Sequence, residues 1–118
     1  MTTISNLKIS NSQADRTSSD GVLTEMALRP GDAPELTFGK FVIQTGVSLP
    51  AHTHAADTIA YCVTGSCSFR VGEQLDEEFE IGPGEYCYIP AGVLHTEETG
   101  EDGVELIFAR DRQGGHTS

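Results

Sequence analysis

Short apolar stretches alternate with turn residues along most of this chain. Runs rich in β-branched and aromatic side chains occupy residues 22–28, 36–45, 58–64, 66–71, 77–81, 86–89, 93–97 and 104–109. Each has the length and composition of a strand. Between them fall Pro30-Gly31-Asp32, Gly65, Gly72, Gly82-Pro83-Gly84, Pro90-Ala91-Gly92 and the stretch from Gly100 to Gly103. Glycine and proline at these places supply the backbone angles that tight turns need. No segment carries a competing helical pattern, and about eight short strands at this spacing predict an all-β sandwich or barrel.

The ends read differently. Residues 1–20 are rich in Ser, Thr, Asn and Asp, with Ile4, Leu7 and Ile9 spaced among them. They predict a flexible N-terminal arm or a weak edge strand, available for pairing with a second subunit. The domain itself is expected over residues 21–111. Residues 112–118 hold Gly114 and Gly115 and no apolar side chain, which predicts a disordered tail that takes His116 away from any site.

Composition narrows the class. The 118 residues fit one domain with a core but leave no room for a separate cofactor-binding domain. With 18 acidic against 7 basic residues the formal net charge is −11, which opposes binding to nucleic acid or to an anionic membrane. No run approaches the roughly 20 apolar residues of a membrane span. The start Met-Thr-Thr-Ile-Ser-Asn-Leu-Lys lacks the apolar core of a secretory signal, so a cytoplasmic location is expected. Cys62, Cys67 and Cys87 are an odd number without CxxC spacing, which predicts reduced structural thiols.

Histidine is the candidate chemistry. His52 and His54 lie one residue apart, and side chains two apart on an extended strand share a face. His95 closes the run that begins at Gly84. Three neutral imidazoles suit zinc, iron, nickel or copper, and three protein ligands leave positions open for water or substrate. Taken alone, a His-x-His pair is more often a solvated strand face, so the surrounding glycine and proline spacing decides.

That spacing resembles the cupin superfamily. The family's first motif runs Gly, five residues, His-x-His, three or four residues, Glu, six residues, Gly; Gly46, His52, His54 and Gly65 stand at the matching places, with Thr58 where the Glu belongs. The second runs Gly, five residues, Pro-x-Gly, two residues, His, three residues, Asn; Gly84, Pro90, Gly92 and His95 match, and Thr99 replaces the Asn. The stretch Tyr61-Cys-Val-Thr-Gly65 also looks like the family's strand and turn between the motifs. The resemblance implies a double-stranded β-helix, or jelly-roll barrel, with a divalent transition metal held inside by His52, His54 and His95. It implies a homodimer as well, since members commonly dimerise.

The departure at Thr58 shapes the expected chemistry. Without the family's carboxylate, a three-histidine site leaves a dipositive ion at full charge and favours anionic, bidentate small-molecule substrates. Thr58 is a poor ligand whose hydroxyl can bond a metal-bound water. Asp57 could substitute as a ligand, but it is one residue out of phase and only a local bulge would turn it inward; a solvated or loop-capping residue is the larger expectation. Glu97, two residues after His95, is the acid/base candidate if the strand is regular; the competing expectation is a frayed, solvated strand end. Ala60 and Cys62 share the face of Thr58, and Tyr86 and Tyr88 lead into Pro90, so these four join Thr58 as candidate pocket neighbours. Arg70 faces either substrate or solvent.

Within the resemblance, the expected function is a non-haem iron dioxygenase acting on a dicarbonyl, enol or thiol, with Fe(II) favoured over Zn, Ni, Mn or Cu. One alternative is a zinc- or nickel-dependent lyase, isomerase or cyclase using the metal as a Lewis acid. The other is a non-catalytic module that binds a small molecule.

Overall fold

The computed structural model describes residues 14–28 and 36–111, and these form eight antiparallel strands and no helix. In chain order they are β1 (Asp15–Ser19), β2 (Val22–Leu28), β3 (Leu36–Ile43), β4 (Ser48–His52), β5 (Thr58–Val71), β6 (Glu77–Ile81), β7 (Tyr86–Ile89) and β8 (His95–Asp111). The architecture is that of a jelly-roll barrel. Among the described residues, no helix is long and apolar enough to cross a membrane. β1 pairs with β2 along residues 15–19, inside the stretch read as an arm. The remainder of that arm and residues 112–118, with His116, lie outside the described residues.

The long strands β5 and β8 build the barrel. The N-terminal part of β5 pairs with the C-terminal part of β8, Thr58 opposite Arg110 and Cys62 opposite Leu106. Beyond the middle of each strand, Cys67 lies opposite Thr99 and Val71 opposite His95. The first half of this ribbon continues into β3, β2 and β1 on one side and β7 on the other. The second half continues into β4 and β6. One ribbon therefore serves two layers, and the core lies between them.

Gly65 and the glycines at 100 and 103, which the sequence pattern read as breaks between strands, fall inside these two elements. The register shifts between Cys62 and Thr64 and again between Gly65 and Cys67. Gly65 and Gly103 have φ of 77° and 68°. A Cβ on Gly65 would run into the Gly103 carbonyl. These are bulges that carry both strands round a corner, where a left-handed residue bends the ladder without ending it. Inside the corner pack Ile43, Cys62, Cys67, Phe69, Ile81, Val104, Leu106 and Phe108, all at most 4% exposed.

Candidate metal centre

Local backbone geometry assembles the histidines. β4 lies against the start of β8 with His52 opposite His95, and a bulge after Leu49 sets that register. The chain leaves the sheet after His52, so His54 comes from the loop that follows. That loop is pinned to the turn at 90–92: Gly92 N–H donates to the His54 carbonyl at 2.9 Å, and Ala91 N–H to Asp57 Oδ1 at 2.8 Å. Asp57 thus caps a loop, one of the two roles expected for it when it is not a ligand.

The ring centroids of His52 lie 4.9 Å from His54 and 4.2 Å from His95, and those of His54 and His95 are 5.0 Å apart. One ligand nitrogen from each falls within 4.8 Å of the other two. His52 Nδ1 is 2.8 Å from the Pro50 carbonyl, and His95 Nδ1 is 3.0 Å from the Val93 carbonyl. A carbonyl only accepts, so each Nδ1 carries the proton and each Nε2 keeps its lone pair.

Protonation agrees. Burial lowers the pKa of His54 to about 3, with help from Arg110, His52 and His95. His95 is lowered too, first by burial and then by His52 and Arg110, against the Val93 carbonyl. Neutral imidazoles with converging lone pairs fit a divalent transition metal.

The three histidines open onto a cavity of about 260 Å³ between the layers, walled by Phe41, Leu49, Phe69, Leu106 and Phe108 among others. Glu97 lies in it, so the strand at 95–97 does not fray. Its Oε2 is 3.8 Å from His52 Nε2. In register it sits between Leu49 and Phe69. Burial there raises its pKa, opposed by His52 and Arg110.

Thr58 and Ala60 also line the cavity. Cys62 does not. It is fully buried, with its thiol directed to the carbonyls of Thr64 at 3.4 Å and Gly65 at 3.5 Å. Tyr86 and Tyr88, expected near the pocket, are instead 66% and 58% exposed, because Cys87 and Ile89 take the inward phase of β7. Arg70 faces solvent, paired with Glu78 at 3.0 Å. Thr99 ties the layers at the family's Asn position: it donates to the Gln44 carbonyl at 2.9 Å and accepts from Val47 N–H at 3.2 Å.

One charged cavity residue escaped the sequence reading. Arg110 donates from Nε to Thr58 Oγ1 at 3.2 Å, and its guanidinium carbon lies 4.7 Å from the Phe108 ring centre and 5.7 Å from that of Phe41. The signal was present: Val104, Leu106, Phe108 and Arg110 alternate on one face of β8, and the predicted strand stopped one residue short.

Comparison with known proteins gives a consistent picture. The family model described as Cupin domain matches residues 39–109. The oxalate decarboxylase OxdC of Bacillus subtilis (strain 168) is 26% identical over an alignment of 113 residues that covers 92% of this chain and 29% of that protein. A single-substitution variant of B. subtilis oxalate decarboxylase superposes with a TM-score of 0.82 at 22% identity, over 99% of this chain and 32% of its own. Another structure of that enzyme, described through its Mn(II) centres, gives 0.81 at 22% identity, over 99% of this chain and 32% of that one. KdgF from Halomonas sp. gives 0.70 at 19% identity, over 88% of this chain and 94% of that one. The chain spans about a third of the oxalate decarboxylases it matches.

Proposed function

The chain belongs to the cupin family, and from that premise we propose that it is a small metal-dependent enzyme. Its three-histidine centre would bind a small oxygen-rich substrate beside Glu97. The observation that carries this reading is the place of Glu97, whose carboxylate shares the cavity with the histidines at 3.8 Å from His52 Nε2. His52, His54 and His95 would hold the ion, which as a Lewis acid polarises a carbonyl or enol oxygen of the substrate. Glu97 Oε2, 3.8 Å from His52 Nε2, would take a proton from the neighbouring substrate atom and return it. The apolar walls keep water from competing for that proton. This is lyase, isomerase or cyclase chemistry. A decarboxylase with Mn(II) centres among the similar structures supports the class and adds Mn(II) to Fe(II) as a metal to load.

The second reading is a non-haem iron dioxygenase acting on a dicarbonyl, enol or thiol. Thr58 in place of the family's glutamate favours it, because a neutral donor set leaves charge and space for a bidentate anion.

Oxygen dependence separates the two. Full-length protein loaded with Mn(II) or Fe(II) is incubated with oxalate, acetylacetone, catechol and cysteine, with and without oxygen. Turnover without oxygen is the expected result. Oxygen uptake stoichiometric with product would select the dioxygenase, and no turnover under either condition would overturn both readings.

A further inference from the structure

Where the family places a metal-binding carboxylate, this chain places a cation. Thr58 stands at the glutamate position, and its hydroxyl oxygen accepts a hydrogen bond from Arg110 Nε at 3.2 Å. The pairing is built into the sheet, because Thr58 and Arg110 lie opposite each other in register. Phe108 and Phe41, themselves stacked at 4.3 Å, lie beside the guanidinium, whose carbon is 4.7 Å and 5.7 Å from their ring centres. The threonine bond and the aromatic contacts together hold the cation in place.

Only Nε is used. Among the described residues, no hydrogen bond engages either Nη of Arg110, and no buried side-chain nitrogen or oxygen lacks a partner. The Nη groups therefore meet accessible space, and Arg110 lines the cavity that holds the histidines.

We propose that a carboxylate of the substrate takes the place of the missing protein carboxylate. Arg110 and Thr58 form its seat, and the substrate is a small 2-oxo acid, 2-hydroxy acid or dicarboxylate. The proposal rests on the metal-centre reading above.

Charge and shape both support it. A dipositive ion on three neutral histidines, with Arg110 added and Glu97 subtracted, leaves an excess of positive charge in an apolar cavity, and only an anionic ligand relieves it. A planar guanidinium held by one edge offers its remaining N–H groups in the geometry a carboxylate accepts. Because Arg110 and the histidines line one cavity, an oxygen next to that carboxylate would meet the histidine centre and make the substrate bidentate. At about 260 Å³ the cavity is below the roughly 300–1,000 Å³ of drug-sized pockets, which suits acids of this size.

The test compares ligands with and without a carboxylate on the Mn(II)-loaded full chain, read by calorimetry and by the Mn(II) electron paramagnetic resonance spectrum. Oxalate and pyruvate are the carboxylate probes; 2,3-butanedione is the neutral bidentate control. Arg110→Gln is expected to weaken oxalate and pyruvate binding by about 10–100-fold, the loss of a charge-assisted hydrogen-bonded contact. It should leave 2,3-butanedione and Mn(II) binding nearly unchanged. Thr58→Val keeps the cation but unpins it, so a smaller loss confined to the carboxylates is expected. Equal losses for all three ligands would make Arg110 a partner of Glu97 only and overturn the proposal. So would carboxylate binding that is indifferent to both variants. Failure of the unaltered protein to bind Mn(II) is a different result, and it removes the metal-centre reading beneath.

Discussion

The same local device aims two of the three histidines. His52 and His95 each turn Nδ1 to the carbonyl two residues upstream, of Pro50 and Val93, at 2.8 and 3.0 Å. Removing one such imidazole costs more than losing a group that merely orients it, which is worth about 10–100-fold in metal affinity. His95→Ala should therefore weaken Mn(II) binding by at least that factor in titration calorimetry, whereas Glu97→Gln should keep the metal and lose turnover by about 10²–10⁴-fold. Metal retention in the alanine variant would remove His95 from the centre. The histidines were legible because glycine and proline at fixed distances mark them, and Glu97 was legible by its two-residue offset from His95. Tyr86 and Tyr88 were not. Alternation along β7 offers two phases, and only packing shows that Cys87 and Ile89 own the inner one.

Among elements, the corner in β5 and β8 decides whether the cavity exists. It lets one ribbon contribute Thr58 and Arg110 to one layer and His95 and Glu97 to the other. Gly65→Ala forces a Cβ against the Gly103 carbonyl at a φ of 77°. Such strain costs about 1–3 kcal/mol, and the backbone must also move. Gly46→Ala has a similar φ of 77° but meets nothing within 4 Å, so its cost should stay near 1 kcal/mol. Urea denaturation of both variants checks the contrast, and equal midpoints would mean that the corner does not depend on that contact. The sequence marked Gly65 correctly as special yet misassigned its work. A turn and a bulge both ask for positive φ, and only the strand lying across distinguishes them. β4 was missed for a related reason: Ser48–His52 is short, holds Pro50 and buries no side chain fully, so its hydrophobic pattern is weak.

Across the whole molecule, an acidic chain encloses a basic, neutral-histidine interior, and acid should expose that contrast. In the metal-free protein His54 titrates near 3 when folded, below its ordinary 6.5, because it is buried and faces Arg110 and the other histidines. The unfolded chain therefore takes up a proton that the folded chain refuses. The stability this neutrality contributes is complete above about pH 6.5 and falls as the pH drops towards 3. His95, lowered for the same first reason, pulls in the same direction. Between pH 7.5 and pH 5 His54 alone should account for about 2 kcal/mol of lost stability. Neutralising any of the carboxylates behind the net charge of −11 relieves repulsion and works the opposite way. Urea denaturation of metal-free protein across pH 7.5 to 5 measures the slope, and His54→Gln supplies the control because glutamine has no proton to gain. The slope should flatten in that variant; if it persists unchanged, acid sensitivity arises elsewhere in the chain. Adding Mn(II) at 100 times its Kd should then raise stability at pH 7.5 by about 2.7 kcal/mol. That gain should shrink as the pH falls, because the ligands that acid protonates are those the metal needs neutral.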